Sequence, residues 1–146
     1  MLAELPSGRN LCQRIDRNMA APTIRSRLER RLVLIADDAV AVDLLRRALP
    51  VGWEMTVATE LGALGGFSDL LQYRFVLVDL DATAFDPVAF IRAVRGELML
   101  NLAIFCFGGA PAVRDAARLA RADRFFTRDE IVEKLPAFCE QFGWGG

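Results

Sequence analysis

Apolar residues cluster in five short runs, each followed by a segment in which they recur at helical spacing. The first run, Leu32-Val33-Leu34-Ile35-Ala36, stops at Asp37-Asp38. Val40, Leu44, Leu45, Ala48 and Leu49 then follow a helical period that ends at Pro50 and Gly52. Trp53 to Ala58 alternates weakly, as a strand does. Leu61 to Leu71 predicts a helix weakened by Gly62, Gly65 and Gly66. Phe75 to Val78 is a strongly apolar strand stopped by Asp79, and Phe85 to Val94 returns to helix with Asp86 as N-cap and Pro87 at its first position. Leu102 to Phe107 predicts the next strand, ended by Gly108-Gly109, and Pro111 to Ala120 the next helix. Arg124 to Phe126 is a short strand. Thr127 to Phe142 is a last helix in which Pro136 removes a backbone donor, so a kink is expected there.

Continuous apolar strands alternating with amphipathic helices indicate a parallel sheet covered on both faces. Five such units predict an α/β, flavodoxin-like (βα)5 doubly wound sheet with strand order 2-1-3-4-5. An eight-unit barrel does not fit in 146 residues, and no GxGxxG follows the first strand. Residues 1–31 read as a basic N-terminal extension: seven Arg against three acids give +4. Residues 32–146, with eleven basic and sixteen acidic residues, give −5. Within the extension Leu11, Ile15 and Met19 recur every four residues, enough for a short amphipathic helix that would either stay solvated or dock.

Composition removes several chemistries. The chain has no His, which excludes His-dependent nucleophilic catalysis and the HExxH zinc site. Its one Lys, Lys134, is not in a P-loop context. Cys12, Cys106 and Cys139 are odd in number and far apart, which predicts free thiols in a reducing, cytoplasmic setting. The near-neutral total charge gives no reason to expect nucleic acid, and no membrane span or signal peptide is expected.

In a doubly wound sheet the site lies beyond the carboxyl ends of the strands, at the switch between the first and third. There the chain places Asp37-Asp38 on one side and Asp79 with Asp81 on the other. Carboxylates brought that close repel and call for a cation, and Mg²⁺ suits such a set. A carboxylate beside Mg²⁺ is also a nucleophile toward a phosphoryl donor. The competing reading is that these acids only end strands and cap helices, as Asp38 and Asp86 are placed to do.

The segments LVLIADD, RFVLVDLDATAFDPVAFIRAVR, NLAIFCFGGAP and ARADRFFTRDEIVEKL, in that order and spacing, resemble a response-regulator receiver domain of two-component signalling. The resemblance covers about 110 of 146 residues. It implies that Asp79 is the phosphoacceptor, with Asp86 seven residues on. It implies Asp37, Asp38, Asp79 and the Asp81 main chain as the Mg²⁺ set, with Asp37 contributing in either alignment register of the first strand. The departures mark a divergent member. Gly108 stands where the family has a Ser or Thr whose hydroxyl relays activation. Arg128 replaces the family Lys, Thr83 the Pro after the acceptor, and Pro87 the Gly after Asp86. Arg and Lys are not interchangeable at such a position.

The expected function is that of a stand-alone receiver-like protein in two-component or phosphorelay signalling. It would act by binding signalling proteins (a histidine kinase, a phosphotransferase or a downstream target), with weak Mg²⁺ binding and weak or absent phosphorylation of Asp79. It would not be a turnover enzyme. No effector domain is expected after Gly146. Arg114, Arg118 and Arg121, spaced to share one face of the fourth helix, are the expected partner surface, which in the family also serves homodimerisation. Two alternatives stay open. One is a conventional Mg²⁺-dependent phospho-switch at Asp79. The other is a small-anion-binding flavodoxin-like module using a Gly108-Gly109 backbone nest.

Overall fold

The protein is described from a computed structural model, which covers residues 30–65 and 67–142. The extension with Leu11, Ile15, Met19 and Cys12 lies outside the described residues, apart from Arg30 and Arg31. Those two already belong to the first strand, so the sheet begins two residues before the charge boundary.

Five parallel strands form one sheet: β1 (Arg30–Ile35), β2 (Trp53–Ala58), β3 (Phe75–Asp79), β4 (Ala103–Phe107) and β5 (Arg124–Phe126). Their order is β2-β1-β3-β4-β5, as the sequence pattern predicts. The three interior strands, β1, β3 and β4, carry uninterrupted apolar runs at 32–35, 75–78 and 103–107, packed on both faces. The helices are α1 (Ala39–Ala48), the short α2 (Phe67–Leu70), α3 (Pro87–Arg92), α4 (Pro111–Leu119) and α5 (Arg128–Phe142).

Two cores result. On one face Leu32, Leu34, Leu45, Phe75, Leu77, Phe105, Leu135 and Phe138 pack under α1 and α5. Aromatic rings dominate there, with Phe105 stacked on Phe138 at 4.9 Å. On the other face Val33, Ile35, Val76, Val78, Ile91, Ile104 and Ala117 pack under α3 and α4.

Two elements depart from expectation. The predicted 61–71 helix is a 3-10 turn, Leu61–Leu64, followed by the four-residue α2. Gly65 divides them at φ +92°, a left-handed conformation that costs other residues free energy. Helix α3 widens at its end into a π turn, Ala93–Glu97. Helix α5 runs unbroken through Pro136.

Candidate functional site

Strand β3 is flanked by β1 and β4, so the side chain at its carboxyl end is enclosed. That residue, Asp79, is 1% exposed and is the one buried charged residue among those described. A carboxylate buried so deeply needs charge-matched partners. Arg128 supplies them, with Nη1 donating to Asp79 Oδ1 at 2.7 Å and Nη2 to Oδ2 at 3.3 Å. The Asp81 backbone N–H adds a third bond, to Oδ1, at 2.9 Å.

The same guanidinium gathers two further carboxylates. Nη1 also donates to Asp81 Oδ2 at 3.0 Å, and Nη2 to Asp38 Oδ2 at 3.1 Å. Its underside lies over the Phe107 ring, 5.3 Å from the centroid. The hydrogen bond to Asp79, reinforced by the charges of Asp79 and Asp81 and opposed by burial, holds Arg128 above its ordinary protonation range. A cation at the first position of a helix opposes the helix dipole. Here the carboxylates ahead of it, and Asp129 and Glu130 behind it, compensate.

A capping box fixes its placement. Thr127 Oγ1 accepts from the Glu130 N–H at 3.1 Å, while Glu130 Oε1 accepts from the Thr127 N–H at 2.8 Å. The Thr127-x-x-Glu130 spacing is readable in the sequence as a helix start. The resemblance, by contrast, gives Asp81 a main-chain role only, and its side chain reaches Arg128 as well.

Of the acids predicted for the site, Asp38, Asp79 and Asp81 meet on Arg128, and Asp37 does not join them. Asp37 Oδ2 accepts from the backbone N–H groups of Thr83 at 3.2 Å and Ala84 at 2.7 Å, fastening the loop after β3. Asp38 has two roles, capping α1 through Oδ1 to the Val40 N–H at 3.0 Å and reaching Arg128 through Oδ2. Asp86 caps α3 through the N–H groups of Val88 and Ala89.

Gly108 occupies the position of the resemblance's hydroxyl residue with φ +71°. A Cβ there would lie 2.2 Å from Asp81 Oδ2 and 3.1 Å from Arg128 Nη1. The Asp81–Arg128 pair thus fills the space that a side chain at 108 would need. The next residue donates its N–H to Asp81 Oδ1 at 3.1 Å, so the Gly108-Gly109 backbone already holds a carboxylate of its own chain.

These residues do not fit a divalent cation. Both Asp79 oxygens and one Asp38 oxygen are bound by the guanidinium, and the other Asp38 oxygen caps a helix. Asp37 is turned to its loop. Among the described residues no group of three or more potential ligands is arranged to hold a metal. The metal set expected from the sequence is therefore not assembled, because a side chain that is always cationic stands at the centre of the carboxylates.

The expected partner surface is also altered. Arg114 and Arg118 lie over Phe125, 5.7 and 4.9 Å from its centroid, and Arg118 pairs with Asp115 at 2.8 Å. Phe125 is half-buried beneath them and packs against the core on its other side. Arg121 lies beyond the end of α4, with φ +77°, and donates to the Arg95 carbonyl. It is therefore not on the face formed by the other two. Leu119, on α4 itself, is 85% exposed.

No protein-family model matches the chain, and no curated protein matches it. Solved structures do. A putative response regulator from Chloroflexus aurantiacus aligns at 18% identity and TM-score 0.55, covering 76% of this chain and 98% of that one. The phosphorylated cyanobacterial phytochrome response regulator RcpA aligns at 11% identity and TM-score 0.61, covering 81% and 96%. A CheY-like receiver domain protein from Methanospirillum hungatei aligns at 15% identity and TM-score 0.57, covering 80% and 98%. With the sheet order and the carboxylate at the end of β3, these likenesses establish that the chain has the fold of a response-regulator receiver domain.

Proposed function

We propose that the chain is a divergent receiver-like signalling module that works by binding other proteins, with Asp79 held by Arg128 in place of a phosphorylation cycle. The observation that carries this reading is the single guanidinium shared by Asp79, Asp81 and Asp38. Phosphoryl transfer to Asp79 needs one of its oxygens free as a nucleophile and a cation to neutralise the incoming phosphoryl oxygens. Both oxygens are engaged, and the cation at hand is already neutralised by three carboxylates. Gly108 offers no hydroxyl to follow a phosphoryl group. Helix α4 supplies the contact surface through Arg114 and Arg118, which suits a partner of acidic character.

Exposure to acetyl phosphate and Mg²⁺, read by intact mass with Asp79→Asn as control, tests this reading. The expected result is a wild-type mass indistinguishable from that of the control-treated Asn variant once the substitution is allowed for. Near-stoichiometric gain of one phosphoryl group, absent in Asp79→Asn, would establish the conventional phospho-switch instead.

A further inference from the structure

The cavity between α1 and α5 is unaccounted for by the carboxylate cluster or by the α4 surface. It holds about 640 Å³ and is walled by Val40, Ala41 and Leu44 on α1, Val132 on α5 and Phe107 at the end of β4. That volume lies in the range of pockets that enclose small organic molecules. Val40 is 67% exposed and Leu44 is 45% exposed, one helical turn apart on the same side, so apolar surface there meets water. The lining is also short, confined to residues 38–45 beside and on α1 and 128–133 on α5. Six residues of helix rise about 9 Å. A helix laid along this groove would find apolar contacts over little more than one turn, whereas a compact molecule fills it.

Four charged side chains line the cavity: Asp38, Arg128, Asp129 and Glu133. The first two are spent on the chain itself. One Asp38 oxygen caps α1 through the Val40 N–H, and the other accepts from Arg128. The terminal nitrogens of Arg128 are turned to Asp38, Asp79 and Asp81, so three carboxylates offset its charge. Asp129 and Glu133 are exposed, one turn apart on α5, and neither has an ion-pair partner among the described residues. Both helices also begin here, and each positive helix end counts as roughly half a unit charge. Those ends and Arg128 together do not balance Asp38, Asp79, Asp81, Asp129 and Glu133, so the local field is negative.

Apolar walls with an unmatched acidic rim select a cation that carries an apolar body. We propose that this cavity binds a small amphipathic cation, with its alkyl or aryl body against Val40, Leu44 and Val132 and its ammonium or amidinium group at Asp129 and Glu133. The binding does not depend on the fate of Asp79. It does bring the ligand beside the Asp38–Arg128 pair, at the edge of the cluster that Arg128 organises.

The test is a titration of the full-length, isotope-labelled protein with octylammonium below its micellar range, followed by amide resonances. Octanoate and octanol serve as the anionic and neutral counterparts. Octylammonium is expected to give saturable shifts at Val40, Leu44, Val132 and Glu133, and the two counterparts to bind about tenfold more weakly or less. Asp129→Asn with Glu133→Gln should weaken octylammonium binding by about tenfold and leave octanol binding unchanged. Leu44→Trp, which fills the cavity, should abolish saturation by octylammonium. Val132→Phe is the second filling variant should Leu44→Trp fail to fold. Absence of saturable shifts at these residues would overturn the proposal and leave the cavity to a protein partner. Equal affinity for the three probes, or octylammonium binding unaffected by the paired Asn and Gln substitutions, would overturn it as well, because the cavity would then not select a cation.

Discussion

Gly108 shows how one residue constrains its neighbours. It adopts φ +71°, and the space above its Cα is taken by Asp81 and Arg128. Gly108→Ser therefore does not restore a switch hydroxyl. It should destabilise the fold by about 1–3 kcal/mol through backbone strain and displacement of the Asp81–Arg128 pair, measurable by urea denaturation. Arg128→Ala should cost about 2–3 kcal/mol, less than a fully enclosed ion pair because the guanidinium is partly in water.

Two buried thiols give a pH signature. Burial raises Cys106 and Cys139 from the ordinary 9.0 to about 12. Between those values the folded thiols keep protons that the unfolded chain releases. Stability from these groups is thus complete below pH 9.0 and falls as pH rises toward 12. Denaturation midpoints measured across that range should fall, and neither thiol should react with alkylating reagents at pH 8 until the protein unfolds.

Among the elements, the strands and the order of the sheet were legible in the sequence because β1, β3 and β4 are buried on both faces and carry uninterrupted apolar runs. The segment at 61–71 was not legible. Its apolar spacing suits a helix, and the positive φ of Gly65, set by tertiary context, divides it. Which of Asp37 and Asp38 reaches Arg128 was equally hidden, since the two differ by one residue where strand gives way to helix cap. Long side chains hid more. Arg95, half a turn into the widened end of α3, donates to the Leu100, Leu102 and Arg121 carbonyls and pairs with Asp123 at 2.7 Å. Asp123 in turn accepts from the Ile104 N–H, so one arginine ties α3, β4 and the turn after α4 together. Nothing in its sequence neighbourhood announces those partners. Arg95→Ala should lower stability by about 2–3 kcal/mol, with amide exchange quickening first in the 100–104 segment. At α4, Arg114→Glu with Arg118→Glu should slow association with an acidic partner and leave the far-UV circular dichroism unchanged, with the difference shrinking at high salt.

Over the whole molecule, the receiver fold brings carboxylates from the segment after β1, the end of β3 and the loop after β3 to one end of the sheet, and α5 meets them with Arg128. The position of the acceptor-like carboxylate was readable from the strand ends, and that of the facing cation from the family resemblance alone. The number of acids that one guanidinium gathers was not, because it depends on how loops from three strands converge. The central claim is that Arg128 takes the place of a divalent cation at this site. Its most direct test is a Mg²⁺ titration followed by the amide resonances of Asp81, Gly108 and Gly109, in wild type and in Arg128→Ala. The account predicts no saturable shifts in wild type at millimolar Mg²⁺, and saturable shifts with a raised melting temperature in Arg128→Ala, where the freed carboxylates again require a cation. Saturable millimolar binding to the wild-type protein at these three residues would contradict it.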